Sequence, residues 1–171
     1  MADKPEFAGR SRRYLLRPIG AADDASIAAV LSWTYGEAHA AGAIQLLRPE
    51  AAARISVAYA SERAAYFVLT DDGVVVGGGG FGPLPGARSE VCELRELCLL
   101  PQARGQGAAT GLVEHCLAVA LAFGYRHCYA ELVHTMRPAV RLLERTQFSV
   151  LNQPVGQTGH YLCDRWYLRD L

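Results

Sequence analysis

The sequence predicts one mixed α/β layer domain, and two observations carry that expectation. The first is the order of patterns along the chain: strand, helices, three strands, helix, strand, helix, two strands, with no internal repeat, low-complexity tract or linker. The second is size and balance. The 171 residues are 51% hydrophobic and 20% charged, enough apolar material for one buried core and too much for a disordered chain.

Residues 14–17 read as a first strand, closed by Pro18 and Gly20. Asp23 and Asp24 stand where a helix would begin, ahead of the apolar run 27–31, and acidic residues suit the positive end of a helix dipole. The alanine-rich stretch 32–63 adds one or two further helices. Residues 64–70 are rich in aromatic and β-branched side chains and read as a strand. Asp71, Asp72 and Gly73 then make a hairpin turn into a strand over 74–76. The glycines at 77–80 are expected to end or bend that strand, marking either a bulge or a close approach of substrate to backbone. Pro83 and Pro85 begin a loop, and a long strand over 91–100 stops at Pro101. The loop 102–107 opens a helix over 108–123, with Leu112, Cys116, Val119 and Phe123 as its buried stripe and Gly124 as its stop. Another strand covers 128–133. Thr135 is expected to cap a helix with Pro138 in its first turn and Ala139, Leu142, Leu143 and Thr146 facing inward. Two short strands, 149–151 and 161–168, flank the turn-rich loop 154–160.

Charge and composition narrow the function. Lys+Arg and Asp+Glu are both 17, so the chain has no global field to hold a polyanion, and neither nucleic acid nor an anionic membrane is an expected partner. No segment approaches 18 uninterrupted apolar residues, which excludes a membrane-spanning helix. Residues 1–12 lack the apolar stretch of a signal peptide and read as a mobile polar lead-in to a domain over 13–171. The five cysteines are odd in number and form no Cys-x-x-Cys pair, which predicts reduced, buried thiols in a cytoplasmic protein. No Cys/His cluster has ligand spacing, so no metal is expected.

The sharpest chemical feature is the loop after Pro101: Arg104, Gly105, Gln106, Gly107, Ala108, Ala109, then helix. The first-turn amides of a helix lack partners, and the dipole adds about half a positive charge there. Glycines let a ligand's oxygens approach the backbone, and an arginine adds a planar cation suited to phosphate. Together these make a pyrophosphate cradle. It is not a P-loop, for it lacks Gly-Lys-Ser/Thr, and it is not Gly-x-Gly-x-x-Gly, for Thr110 stands at the third glycine.

Residues 99–112 resemble motif A of the GNAT superfamily of N-acetyltransferases, whose signature is Gln/Arg-x-x-Gly-x-Gly/Ala; Arg104, Gly107 and Ala109 occupy its fixed places. The resemblance extends over residues 13 to 171. It takes in Leu16-Arg17-Pro18 near the start, Glu93-Leu94 ahead of the motif, and the stretch from Ala139 to Phe148. The tail, Thr158-Gly159-His160 with Cys163-Asp164-x-Trp166, is similar to one small bacterial subgroup. The resemblance implies a single GNAT-like α/β domain with a mixed, mostly antiparallel, splayed sheet flanked by helices. Acetyl-CoA, the acyl donor, would lie in the gap between diverging strands. Backbone groups of Cys98, Leu99 and Leu100 would bind its pantetheine arm as an added strand. Amides of Arg104, Gly105, Gln106, Gly107, Ala108 and Ala109 would hold its pyrophosphate.

The chemistry implied is acyl transfer to an amine, which must lose a proton before it attacks; the leaving thiolate must gain one. Many family members place a base glutamate where Glu93 stands. Glu96 is expected on the opposite strand face by period-2 alternation. For the acid the sequence departs from the family: Leu143 replaces the usual tyrosine of the last helix, and Gln147 replaces the glycine before Phe148. Tyr129, His134 and His160 are the candidate donors, each with a bland alternative as a core or loop side chain. Cys98 lies where an acyl-enzyme would need it, yet family precedent favours direct transfer and a buried, inert thiol. Trp33, Tyr35 and Trp166 are candidates to wall an acceptor pocket.

The expected function is therefore acetyl-CoA-dependent transfer to a primary amine of a small-molecule or peptide acceptor. The missing tyrosine motivates a rival reading, a CoA-binding sensor or accessory module without turnover. A homodimer is left open by the resemblance.

Overall fold

The computed structural model describes residues 14–40 and 54–171. The expected polar lead-in at 1–12 lies outside the described residues, as do residues 41–53 of the alanine-rich stretch. The described chain forms a seven-stranded sheet in the order β1-β2-β3-β4-β5-β7-β6. Its strands are β1 (Leu15–Pro18), β2 (Ala65–Asp71), β3 (Val74–Pro83), β4 (Val91–Leu99), β5 (His127–Leu132), β6 (Ser149–Leu151) and β7 (Arg165–Asp170). Every neighbouring pair is antiparallel except β4 and β5, which run parallel. Helices α1 (Asp24–Ala40) and α2 (Ile55–Ala58) cover one face; α3 (Ala108–Ala122) and α4 (Arg137–Arg145) cover the other.

Period-2 alternation sorts the strands between the two faces. On β2, Phe67 and Leu69 join the core under α3 with Leu112 and Cys116, while Tyr66 and Val68 join Ile27, Leu31 and Ile55 under α1. The Asp72-Gly73 turn has both residues at positive φ, 47° and 83°, the two-residue hairpin loop that matches strand twist. Arg17 grips Asp23 through two hydrogen bonds, of 2.6 and 2.8 Å, just before α1. Asp24 then accepts from the Ser56 amide at 2.8 Å and the Ser56 hydroxyl at 2.6 Å. That pair fixes α2 against the start of α1.

Four local expectations are corrected. β3 does not end at residue 76 but runs through all four glycines to Pro83. The glycines are needed because the protein's own atoms crowd the strand: a Cβ on Gly78 would lie 2.7 Å from the Tyr66 ring, and one on Gly80 2.5 Å from the Ala65 carbonyl. The buried stripe of α3 is Leu112, Val113, Cys116, Leu117 and Ala120. Val119 is half-buried and Phe123 is 40% exposed, because the helix closes at Ala122 and Phe123 already belongs to its cap. Thr135 is not the cap of α4; Met136 holds that position without a side-chain cap, and β7 begins at Arg165, later than expected.

The feature that positions the site is a divergence. β4 and β5 pair only at Val91–His127, Cys92–Cys128 and Glu93–Tyr129. Beyond Glu93, β4 continues along β3 to Leu99 and β5 continues along β7 to Leu132, so the sheet splays open between them.

Candidate active site

The open end of β4 leads into the glycine loop. A short 3-10 turn, Pro101–Ala103, follows the strand, and the Arg104 amide closes it on the Pro101 carbonyl at 3.1 Å. Gly105 and Gly107 then take φ of 75° and 79°, the left-handed region that glycine enters without penalty. A Cβ on either would meet nothing within 4 Å, so the space before the loop is open. The first helical bond of α3 runs from the Gly111 amide to the Gly107 carbonyl, leaving the Ala108 and Ala109 amides at an open helix start.

Arg104 uses its side chain differently from the expectation. Its guanidinium donates twice to the Leu99 carbonyl, at 2.9 and 2.7 Å, and to Glu37 at 2.7 Å. It also lies over the Trp33 ring, 5.3 Å from its centroid. It therefore braces the end of β4 against α1, and its phosphate role would fall to its backbone. The Leu100 amide donates to Val76 at 2.8 Å, toward β3. By alternation the Leu99 amide points the other way, to the unpaired edge where an added strand would bond.

The face under α1 carries the ionisable groups. Regular alternation would put Glu93 and Glu96 on opposite faces, and the structure overturns that. Cys98 pairs with Gly78 and Arg95 with Gly80, so Gly79 alone opposes both Glu96 and Leu97. This is a β-bulge, and Glu96 takes a positive φ of 52° within it. The extra residue returns Glu96 to the face of Glu93 and Arg95. Leu94, Leu97 and Leu99 keep the α3 face, and Cys98 packs under α1. The Tyr66 hydroxyl fastens the bulge by donating to the Glu96 carbonyl at 3.0 Å.

The parallel register sets Tyr129 beside Glu93, and Glu131, two residues on, shares that face. Arg95 donates to Glu93 Oε2 at 2.5 Å and to the Pro83 carbonyl at 2.6 Å. Tyr129 donates to Glu131 Oε2 at 2.8 Å. The loop before β7 brings His160 over both carboxylates: Nδ1 lies 2.8 Å from Glu131 Oε1 and 3.8 Å from Glu93 Oε1. Burial pushes Glu93 above the usual carboxyl range, against the pull of Arg95. Burial also pushes Glu131 up, but hydrogen bonds from His160, Thr158 and Tyr129 outweigh it and hold the carboxyl low. The bond to Glu131 raises His160 in turn. Ligand atoms of Glu93, Glu131 and His160 lie within 4.8 Å of one another. Each is already engaged with a proton donor or a counter-ion, so the cluster is built as a hydrogen-bonded ion network.

Of the expected residues, Glu93 and Tyr129 thus meet at the head of the cleft, joined by His160. Tyr129 is fully buried with its proton committed to Glu131. His134 stands apart, just beyond β5, its Nδ1 2.5 Å from Asp164 Oδ2. Burial pushes the Cys98 thiol up to about 12, which suits an inert side chain rather than a nucleophile. Gln106 turns its side chain back onto the Gln102 carbonyl at 3.1 Å. Leu143 is buried in the core, and Trp166 sits in register with Glu131. Sequence reasoning missed Glu131 and Arg95, although spacing of two from Tyr129 and Glu93 was a readable signal.

Comparison with known proteins bears on this geometry. The family model described as the acetyltransferase (GNAT) family matches residues 26–148. The uncharacterised N-acetyltransferase YjgM of Escherichia coli (strain K12) is 37% identical over 113 residues, 66% of this chain and 68% of that protein. Among solved structures, a GNAT-family acetyltransferase of Staphylococcus aureus Mu50 superposes with a TM-score of 0.79 at 13% identity, covering 93% of this chain and 99% of its own. YncA of Salmonella typhimurium, solved with its cofactor acetyl-CoA, gives 0.73 at 20% identity, covering 93% and 94%. These last two likenesses are of fold.

Proposed function

The chain belongs to the acetyltransferase (GNAT) family, and from that premise we propose that it moves the acetyl group of acetyl-CoA directly to a primary amine of a small-molecule or peptide acceptor. The observation that carries the reading is the splay. β4 loses β5 after Glu93, keeps an unpaired edge to Leu99, and ends on two left-handed glycines at an open helix start. An extended pantetheine arm fits the edge, and a pyrophosphate fits the amides of residues 104–109. YncA and a phosphinothricin acetyltransferase of Sinorhizobium meliloti, both solved with acetyl-CoA, share this fold at TM-scores of 0.73.

In this reading the acceptor nitrogen attacks the thioester carbonyl, the C–N bond forms, and the C–S bond breaks as the thiolate leaves. Glu93 takes the ammonium proton. Its Oε1 is the oxygen that Arg95 does not hold, and burial raises its affinity for a proton, as a general base requires. An amide freed by the bulge at Glu96 and Leu97 faces the developing oxyanion. Tyr129 orients Glu131, and Glu131 orients His160. His134, held through Nδ1 by Asp164, keeps Nε2 to return a proton to the thiolate.

Calorimetry with CoA, followed by thiol release from acetyl-CoA against a panel of amines, tests the proposal. Saturable one-to-one uptake and amine-dependent release are expected. Uptake without release from any amine would favour the non-catalytic sensor, the reading that the buried Leu143 motivates. No uptake would remove both.

A further inference from the structure

The loop over 152–164, between β6 and β7, reaches as far as the β3–β4 connection and returns to the end of β5. It is locked at both places. The Gln157 amide donates to the Pro85 carbonyl at 2.6 Å. Gly156, at φ 75°, lies so close that a Cβ would stand 2.6 Å from the same carbonyl. On the return, the Asp164 amide donates to the Leu132 carbonyl at 3.2 Å, and the Asp164 carboxylate holds His134.

Between these locks, residues 158–162 lie on the two carboxylates. The Thr158 hydroxyl bonds Glu131 and accepts the His160 amide at 3.2 Å. His160 Nδ1 stands 2.8 Å from Glu131 Oε1 and 3.8 Å from Glu93 Oε1. Gly159 takes φ 79°, and a Cβ there would meet no described atom within 4 Å, so the chain has a joint beside His160. Tyr161 and Leu162 face solvent, and the Cys163 amide closes a turn on the His160 carbonyl at 3.1 Å.

Burial gives this contact its consequence. The side chains of Glu93 and Glu131 are each 4% exposed. Oε1 of Glu93 is the oxygen a base needs free, and the imidazole stands at it. An amine reaches hydrogen-bond distance of that oxygen only after His160 has moved. Moving it strips two buried carboxylates of a cation, which is costly, and an acceptor ammonium carries the charge that replaces it.

We propose that residues 158–162 form a strap latched by the His160 imidazolium, and that this strap must lift before an acceptor amine reaches Glu93. His160 is then a positioning residue: it controls access to the base and takes no part in the transfer. The acceptor's part rests on the N-acetyltransferase reading; the latch does not. The latch depends on charge. Glu93, Arg95 and Glu96 face His160 from β4, and Glu131 from β5. The bond to Glu131 and the charge of Glu93 keep the proton on, burial and Arg95 oppose it, and the balance raises His160. The latch is therefore complete in mild acid and fades as pH climbs through the raised value. Tyr129 and Cys163 also border the cluster, and burial pushes both up, so they stay neutral.

The Cys163 thiol reports the strap, for it is buried at the strap's end near Glu131 and Glu93. The whole protein, without CoA or amine, is treated with methyl methanethiosulfonate, and labelling at Cys163 and at the core residue Cys98 is followed by peptide mass spectrometry. At pH 6, His160→Gln is expected to label Cys163 about tenfold faster than the unmutated protein, with Cys98 equally slow in both. At pH 9, where the unmutated latch has faded, the two Cys163 rates are expected to converge. A variant that labels Cys98 fast has unfolded, and Glu131→Gln then takes its place with the same expectations. In the unmutated protein, hydrogen-exchange protection of the Cys163 amide is expected to fall about tenfold from pH 6 to pH 9, a readout that needs no variant. Equal Cys163 labelling at pH 6, a rate ratio that persists at pH 9, or constant amide protection each overturns the latch. If the latch behaves as expected while no amine releases thiol from acetyl-CoA, the strap stands and the acetyltransferase proposal falls; amine-dependent release with no sign of a latch is the reverse.

Discussion

Glu93 shows how one strand position acquires a pKa. It is 3% exposed, and burial pushes its pKa up while Arg95, at 2.5 Å, pulls it down. The balance leaves its pKa raised, so the ascending limb of a pH–rate profile is expected above the ordinary carboxyl range. Glu93→Gln is expected to lower kcat/KM by about 10²- to 10⁴-fold and to abolish that limb. His160 gives a stability prediction with a definite sign. Its folded pKa is raised above 6.5 by Glu131, so the stability it contributes is complete below 6.5 and fades as pH climbs through the raised value. Glu131 is lowered below 4.5, so its share is present above 4.5 and lost as pH falls through the lowered value. The pair therefore supports the fold most between those limits. His160 is 38% exposed on its side chain, and screening keeps the figure small. Urea melts should show His160→Gln less stable than wild type by on the order of 1 kcal/mol near pH 5.5, with the gap narrowing toward pH 9.

At the scale of elements, glycine decides more than hydrophobicity does. Gly80 sits where a Cβ would meet the Ala65 carbonyl at 2.5 Å, and backbone cannot step aside. Gly80→Ala is expected to cost roughly 3 kcal/mol in a denaturant melt. Gly105 presents the opposite case, a positive φ facing open space. Gly105→Ala should cost only about 1 kcal/mol of stability while weakening CoA about tenfold, because the methyl group stands where phosphate oxygens approach. The end of α4 carries a correctable strain. Gln147 adopts φ 62°, its amide bonds to Glu144 and the Phe148 amide to Leu143, and the Phe148 and Leu143 side chains are both buried. This is a Schellman closure with glutamine in the position that favours glycine. Gln147→Gly is expected to stabilise by about 1 kcal/mol and raise Tm by roughly 2–4 °C in a thermal melt. The element order, the Asp72-Gly73 hairpin and the Gly105–Gly107 turn were legible in the sequence, because local backbone chemistry fixes each of them. The run of glycines in β3 was not. Its cause lies on β2 and α2, in Tyr66 and Tyr59, and no local rule sees across strands. The bulge at Glu96 escaped for the same reason, and with it went the correct face for that residue.

For the molecule as a whole, the account joins one backbone event to one charge arrangement. The sheet opens between β4 and β5, leaving β4 an unpaired edge beyond Glu93. On the α1 face beside that opening, Glu93, Arg95, Glu96, Tyr129, Glu131 and His160 collect from two strands and a loop. Sequence relationship places the chain among the GNAT acetyltransferases, and solved acetyltransferases share its fold. The central claim is that acetyl-CoA lies along the free edge of β4 with its phosphates on the glycine turn. Titrating acetyl-CoA into isotope-labelled protein and following every backbone amide by NMR tests it most directly. The account predicts saturable shifts concentrated at Leu97, Leu99 and residues 104–109. Saturable shifts confined to β6 and β7, or none at all, would contradict it.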